Sequence, residues 1–291
     1  MHCTALLIGL LLLGPAEDPA GDVPRQDEGA PEVRAVAAPG FPFRAGGDVV
    51  CAASKIRLKR LLRKQNQVTD TQEWYANNDL ARPVGPMDPG WEAAPSETPW
   101  GRLAFFRDNG SGLRVGVYVK MGQRVDAKDE KGFSSIYDKE FDYAAVVLDE
   151  ELKPRKVFQL AAFHPGILEM SHAVLIDDVL YFDSNYNGYA SIAREKTGYL
   201  SALDLSDGRI LWTTKNLVAS FWGFLVHGDV VVAGYGFTAE PDYLYLIDRR
   251  CGKLLQTIRL KTAHEILIRR GERLYVRCYD HDYVFDFDEK R

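Results

Sequence analysis

The sequence predicts an all-β protein built from repeated antiparallel hairpins, and two features of the chain predict it. The first is the stretch YLSALDLSDGRILW at residues 199–212, in which two alternating apolar strands flank an Asp-Gly turn. The second is its recurrence, because comparable segments, each with an aspartate five or six residues on, open at Tyr143, Tyr199, Tyr243 and Tyr283. These tyrosines are 56, 44 and 40 residues apart, near the roughly 40–50 residues of a four-stranded propeller blade. We therefore expect a β-propeller of about five four-stranded blades.

Composition supports one closed repeat domain. The chain has 291 residues, 46% of them hydrophobic, which is enough for one sizeable core. The net charge is −5, and a concentration of basic residues occurs only at 55–64, which argues against a nucleic-acid partner. We expect a monomer that binds no nucleic acid and does not span a membrane.

The N-terminal residues read as a leader followed by a tether. The apolar run at residues 5–13, followed by Gly14-Pro15-Ala16, is typical of a secretory signal peptide, which we assign to residues 1–16. The run is too short to span a bilayer. Residues 17–31 are acidic and rich in Pro, so we expect a disordered tether before a propeller at residues 32–291. We therefore expect a secreted or periplasmic protein. The alternative is a cytoplasmic protein with an uncleaved apolar tail.

The cysteines predict no disulfide framework. Without the leader the chain keeps Cys51, Cys251 and Cys278, an odd number. Cys251 falls in a hairpin turn and Cys278 at a strand end expected on the opposite face, so we do not expect these two to pair.

The start of the propeller predicts how the ring closes. Residues 32–54 align with residues 254–280 as strand, break, strand, turn and strand, and the last repeat ends after its third strand. We expect residues 32–37 to supply its missing fourth strand, which would remove an open sheet edge. Residues 55–67, KIRLKRLLRKQNQ, fit either the third strand of a first blade or an inserted basic helix, and the repeat favours the strand. Residues 81–99 are rich in Pro and Gly and are expected to be loop.

The spacing of the other strands separates short turns from long loops. Short turns occur at 177–178, 206–208, 227–229 and 270–272, whereas the long loops 121–140, 161–172, 183–198 and 234–242 all belong to the opposite face. Loops carry function more often than scaffold strands, so the long-loop face is the candidate functional surface. The residues expected there are His164, His172, Tyr186, Tyr189, Phe221, Trp222, Tyr235, Phe237, Glu240, Asp242, His264, Asp280 and His281.

The hairpin ALDLSDGRILW resembles the repeat of the pyrroloquinoline-quinone-type β-propellers, which carry Ala-x-Asp-x-x-x-Gly-x-x-x-Trp in each blade. One repeat matches in full, at Ala202, Asp204, Gly208 and Trp212. The next matches at Asp248 and Gly252 and has Gln256 in place of the Trp. The resemblance covers about residues 100–291 and implies the fold.

The same family includes quinone-dependent dehydrogenases and a non-catalytic adaptor of outer-membrane assembly, so the resemblance alone leaves the function open. A quinone enzyme of this family needs about eight blades and adjacent cysteines, and this sequence has no Cys-Cys pair. The resemblance therefore implies a non-catalytic member. We predict an exported binding or scaffold module for a protein or carbohydrate, with no catalytic residues and no cofactor.

The stretch GYGFTAEPDYLY at residues 234–245 is the predicted binding element. Its glycines would let the chain turn and present Tyr235 and Phe237 outward, with Glu240 and Asp242 as an acidic rim that favours a cationic or hydroxyl-bearing ligand. The alternative is that both rings pack onto the neighbouring blade. The predicted ligand-binding residues are Tyr235, Phe237, Glu240, Asp242, His172, His264 and Trp222.

Two metal hypotheses stand beside this interpretation. His172, His264 and His281 could converge on a metal with Glu240 or Asp280, which would make the protein a metal-dependent hydrolase or lyase; the alternative is that these histidines cap strands. Separately, Asp183, Asn185 and Asn187 match the first half of a calcium loop, but Arg194 stands where that loop needs a bidentate carboxylate. The alternative for this segment is an Asn- and Gly-rich turn.

Overall fold

The computed structural model describes residues 31–35, 54–67, 69–82, 85–124, 139–160, 169–185, 197–237 and 240–289. The predicted signal peptide and nearly all of the predicted tether lie outside these residues. Residues 31–291 form one unit. No helix of the described part of the chain is long and apolar enough to cross a membrane.

The described strands form four sheets. The first comprises β1 (Glu32–Ala35), β3 (Glu97–Thr98), β4 (Gly101–Asp108), β5 (Arg114–Arg124), β6 (Lys139–Leu148) and β7 (Pro154–Gln159), in the order β1-β7-β6-β5-β4-β3. The second comprises β8 (Ala173–Ile176), β9 (Val179–Ser184), β10 (Tyr199–Asp204) and β11 (Ile210–Thr213), in the order β11-β10-β9-β8.

The third sheet comprises β12 (Phe224–His227), β13 (Val230–Tyr235), β14 (Tyr243–Asp248) and β15 (Leu254–Arg259), in chain order. The fourth comprises β16 (His264–Arg270), β17 (Arg273–Cys278), β18 (His281–Glu289) and β2 (Ile56–Gln65), in the order β16-β17-β18-β2. Each sheet is thus built on four antiparallel strands, as the repeat predicts, but the described residues form four sheets where the sequence predicts about five.

The predicted first blade is not formed by the described residues, because its strands join other sheets. β2 is a strand, as favoured for residues 55–67, but it pairs with β18 as the fourth strand of the last sheet. The reason is complementarity: Lys64 lies opposite Asp282 and Lys59 opposite Asp286, and Leu58 is buried beside the apolar side chains of β18. The sequence signal was present, since β18 is acidic and β2 is basic.

The prediction that residues 32–37 supply the fourth strand of the last blade is therefore wrong. Residues 32–35 form β1, which pairs in parallel with β7 at the edge of the first sheet, with Glu32 opposite Lys156. The Arg34 guanidinium also donates a hydrogen bond to the backbone oxygen of Asp207, 3.1 Å away, in the next sheet. The fourth strand of the last sheet comes from residues 56–65 instead.

Neighbouring sheets are joined by one side chain of each outer strand. Phe158 of β7 lies against Gly208, and Trp212 of β11 lies against Gly252, where an added Cβ would come within 2.6 Å and 2.8 Å of the two rings. Both glycines also have positive φ, of 78° and 68°, so only glycine suits these turns. The glycine in the repeat therefore serves the turn and the packing between sheets together.

Gln256 of β15 makes the corresponding link with polar groups. Its side-chain oxygen accepts a hydrogen bond from the Leu58 backbone N–H at 2.8 Å, and its amide nitrogen donates to the Leu58 carbonyl oxygen at 3.0 Å. A glutamine at the Trp position thus bonds to both backbone groups of one β2 residue. This pair of bonds fixes β2 against the third sheet.

Segments between β2 and β4 cover the two outermost sheet faces. Helix α1 (Thr71–Asn77) packs Trp74 against Tyr275 and Val284 of the last sheet. Residues 86–100, which include a 3₁₀ turn (Trp91–Ala93), cover the outer face of the first sheet. No apolar cluster of the described residues joins the first and last sheets, so each face has its own cover.

The α1 helix was not predicted from the sequence. Seven residues are too few for a stable isolated helix, so tertiary contacts must hold it. Arg277, almost fully buried, forms ion pairs with Asp70 and with Asp282, and its guanidinium lies over the Trp74 ring at 5.7 Å. These contacts fix the helix to the last sheet.

The cysteines differ partly from the expectation. Cys278 is free and buried, so it does not pair with Cys251, as expected. Cys251 is nevertheless disulfide-bonded.

Candidate functional site

The described ends of the long loops lie at one end of the sheets because the strands within each sheet are antiparallel. Two contacts join neighbouring loops: Val218 N–H donates to the Gly198 oxygen at 2.8 Å, and Leu260 N–H donates to the Asp242 oxygen at 2.9 Å. We call this surface the loop face; it consists of the described residues among 160–172, 185–198, 214–223, 236–242, 260–263 and 279–280. The predicted short turns lie at the other end of the strands, as expected. Predicted face residues His164, Tyr186, Asn187 and Tyr189 lie outside the described residues.

Phe221 and Trp222 are two adjacent exposed aromatic residues of the loop face. They lie in the loop between β11 and β12, with 40% and 51% of their surface exposed. Their rings meet edge to face with centroids 6.5 Å apart. Aromatic rings lose little conformational entropy on binding, so an exposed pair on a fixed loop is suited to recognition.

Two histidines beside this pair hold its loop. His264 is fully buried and its Nε2 lies 3.3 Å from the Gly223 backbone oxygen. The His172 ring packs edge-on against Phe224, with centroids 5.2 Å apart, and a Cβ added at Gly223 would lie 3.1 Å from that ring. The loop that presents Trp222 is therefore supported from the sheets on both sides.

The three histidines of the metal hypothesis have environments typical of residues with a structural role. Burial and, to a smaller extent, the positive charge of Arg107 lower the pKa of His172 to about 4. Burial likewise lowers the pKa of His264 to about 4. His281 is bonded to the carboxylate of Asp280 at 2.8 Å. In the part of the chain that the structure describes, no group of three or more His, Cys, Asp or Glu residues could hold a metal ion.

The predicted binding element is arranged differently from the expectation. Tyr235 is only 8% exposed and packs in the core between the second and third sheets, so it is not presented outward. Its hydroxyl donates a 2.6 Å hydrogen bond to the Glu240 carboxylate. The alternative interpretation, in which this ring packs onto the neighbouring blade, holds for Tyr235, whereas Phe237 is half-buried. His264 is also too deeply buried to touch a ligand at the surface.

Asp242 follows this segment and is half-buried. Burial raises the pKa of its carboxyl to about 6, and the negative charges of Asp280 and Glu240 contribute in the same direction. The carboxylate occupies the space where a Cβ on Gly236 would lie, 2.1 Å from its Oδ1. The glycine at 236 is thus required by the approach of Asp242. Whether Phe237, Glu240 and Asp242 bind a ligand remains a prediction.

Asp183, the first predicted calcium ligand, is fully buried and already saturated by donors. Its Oδ1 accepts hydrogen bonds from the Ser171 and His172 N–H groups, both at 2.8 Å, and its Oδ2 accepts one from the Ser171 hydroxyl at 2.5 Å. Asn185 is also buried, and neither polar atom of its side chain has a hydrogen-bond partner among the described residues. Asn187 lies outside the described residues, so the calcium site remains a prediction.

Replacing Asp183 with Asn should remove a pH dependence of stability. Burial raises the pKa of this carboxyl to about 7, against the opposing hydrogen bonds from Ser171 and His172. Between about pH 4 and pH 7 the folded protein holds a proton that the unfolded chain has released, so the free energy of unfolding falls as pH rises. Relative to the wild type, Asp183→Asn should gain up to about 4 kcal/mol of stability over this range.

Urea unfolding at several pH values measures this gain. Asp178→Asn, the same substitution in an exposed turn, is the control and should shift stability little at any pH. A difference between wild type and Asp183→Asn that stays constant from pH 4 to pH 7 would contradict the assignment.

Tyr279 is a surface residue that the sequence interpretation missed. It lies between β17 and β18 on the loop face and is 56% exposed. The preceding residue, Cys278, lies opposite His264, which in turn contacts Gly223. The signal was available, since an aromatic residue in a turn between a strand's last buried residue and the next strand is expected to be exposed. Tyr279 is therefore a third exposed aromatic residue of the loop face.

A cleft of about 460 Å³ lies away from the loop face, beside the turn between β16 and β17. It is lined by Lys59, Arg270, Glu272, Arg273, Asp286, Phe287 and Asp288. Its opposite charges partly pair with each other, as in the 3.5 Å contact of Arg273 with Asp286.

The fold and the loop face define a class: an all-β protein of four-stranded antiparallel blades of the β-propeller type. No protein-family model matches the sequence, and no curated protein does. Among solved structures, the crystal structure of BamB from Moraxella catarrhalis is similar, with 15% sequence identity, 51% of this chain covered and a TM-score of 0.28. The match spans 53% of that chain, about half its length. At this level of similarity the match does not decide family or function.

Proposed function

We propose that this protein is a non-catalytic, monomeric binding module that is exported and holds a protein or carbohydrate ligand on its loop face. One observation carries the proposal: Phe221 and Trp222 are exposed together on a loop that buried groups fix in place. Aromatic residues are enriched among the groups that dominate binding energy at interfaces, and they also stack on sugar rings.

The contacts that hold the Phe221–Trp222 loop favour a role of this loop in ligand binding over a role in folding. The backbone at Gly223 is held between His172 and His264, so the neighbouring rings need little reorganisation on binding. Tyr279 adds another exposed aromatic residue to the loop face, between two strands of the last sheet. The proposal therefore moves the centre of the binding surface from Tyr235 to Phe221, Trp222 and Tyr279.

Export is supported by two observations. The apolar run at residues 5–13 fits a secretory leader. Cys251 is disulfide-bonded, and disulfides persist mainly in oxidising compartments such as the periplasm or the extracellular space. Secreted or periplasmic location is thus part of the proposal.

The double variant Phe221→Ala/Trp222→Ala tests the binding surface. Its binding to a panel of immobilised glycans and cell-envelope proteins should fall by about ten-fold or more, because the central aromatic contacts are removed. The matched control is Trp91→Ala, which removes a ring of similar exposure from the segment that covers the first sheet. Both variants should keep wild-type stability to within about 1 kcal/mol.

Equal binding by the double variant and the control would contradict the proposal, as would a panel in which nothing binds the wild type. Metal analysis of the purified protein addresses the hydrolase alternative. A stoichiometric transition metal would favour that alternative over the non-catalytic module.

A further inference from the structure

Strand β2 carries a surface that neither the repeat nor the loop face explains. All residues from Lys59 to Gln65 are exposed, and β2 forms the outer edge of the last sheet. Six lysines and arginines lie within residues 55–64 of a chain whose net charge is −5. A basic edge strand has a structural explanation, because edge charges prevent sheets from pairing with other chains.

Three of these cations are accounted for by the neighbouring strand. In the register of β2 with β18, Arg57 lies opposite Asp288, Lys59 opposite Asp286, and Lys64 opposite Asp282. Opposite charges across a strand pair stabilise a sheet. These three residues therefore have acidic neighbours on β18, and the Lys64 nitrogen lies 3.9 Å from the Asp282 carboxylate.

Arg60 and Arg63 are different. They lie opposite Phe285 and Tyr283, and neither forms an ion pair with any described residue. Between them stand Leu61 and Leu62, which are 46% and 42% exposed. The four residues form the contiguous exposed sequence Arg-Leu-Leu-Arg.

A β-bulge makes this segment prominent. Leu62 pairs with Val284 and Arg60 with Phe285, so Leu61 is an extra residue in β2 without a partner on β18. A bulge interrupts the regular ladder and twists an edge, which disfavours the addition of another strand. The free edge is thus poorly suited to a peptide that binds as a β-strand.

We propose that Arg60, Leu61, Leu62 and Arg63 form a contact with the surface of an anionic lipid bilayer. The two guanidinium groups suit lipid phosphates, and the two leucines suit the boundary between headgroups and acyl chains. The remaining surface of the protein is acidic overall and would be repelled by such a bilayer, so charge also orients the molecule with β2 toward the lipid. The contact is peripheral and reversible.

Sedimentation with lipid vesicles tests the proposal on the full chain. The wild type should bind vesicles that contain phosphatidylglycerol and should not bind pure phosphatidylcholine vesicles, and binding should weaken as salt increases. Arg60→Gln/Arg63→Gln should weaken binding about ten-fold or more, and Leu61→Ser/Leu62→Ser should weaken it several-fold. The control Arg57→Gln/Lys64→Gln removes two cations opposite acidic residues and should weaken binding less.

Circular dichroism of each variant checks that the fold is retained. Equal binding to both kinds of vesicle would overturn the proposal, and so would equal effects of the Arg60/Arg63 variant and its control. An unchanged affinity of the Leu61/Leu62 variant would also overturn it, because the surface would then be a site of ion exchange only. The loop-face residues are intact in all these variants, so failure here is distinct from failure of the proposed function.

Discussion

Trp212→Ala should destabilise the protein by about 3–5 kcal/mol, whereas Trp222→Ala should cost less than about 1 kcal/mol. Trp212 is fully buried between the second and third sheets. Its ring lies against Gly252, and its Nε1 donates a 2.8 Å hydrogen bond to the Arg249 backbone oxygen. Removal leaves a cavity and takes away the shorter of two hydrogen bonds to the Arg249 oxygen, whereas Trp222 is half exposed and its ring meets Phe221 edge to face.

Chemical denaturation of the two variants beside the wild type measures the difference. Binding supplies a second readout with the opposite order, because Trp222 belongs to the proposed ligand surface and Trp212 does not. Similar losses of stability in the two variants would show that the repeat tryptophan does not join the sheets as described.

Removal of β2 should have the largest effect of any change considered. A chain that begins at Gln67 lacks the fourth strand of the last sheet, which exposes Tyr283 and Phe285 and leaves the Gln256 side chain without Leu58. A chain that begins at Gly40 loses only β1, a four-residue edge strand. We expect the first truncation to lose most of its stability and the second to lose about 1–2 kcal/mol.

Both truncations should be compared under reducing conditions, so that the Cys251 disulfide does not contribute. A synthetic peptide of residues 54–66, added in trans, should raise the stability of the chain that begins at Gln67 and leave the other truncation unchanged. If the chain that begins at Gln67 unfolds at the same urea concentration as the full chain, β2 is not the strand that completes the last sheet.

The candidate site was only partly predictable from the sequence. Loop lengths predicted the candidate face, and Trp222 was assigned to it because it lies between two predicted strands on the side of the long loops. Tyr235 looked similar, yet it is buried between two sheets. The sequence of an alternating strand is the same whether an aromatic side chain is buried by the neighbouring sheet or exposed to solvent. Which of the two occurs depends on how the two sheets pack.

The sequence by itself determined the local structure: the hairpins, the short turns, and the positions of Gly208 and Gly252. Those features follow from period-two alternation and from turn residues with positive φ, which act within a few neighbouring residues. Only the tertiary structure decided that β2 completes the last sheet, that β1 lies beside β7, and that α1 is a helix. These choices rest on contacts between residues about two hundred positions apart, such as Leu58 with Gln256 and Asp70 with Arg277. No local pattern encodes such contacts, because burial and charge pairing select them only when the sheets come together.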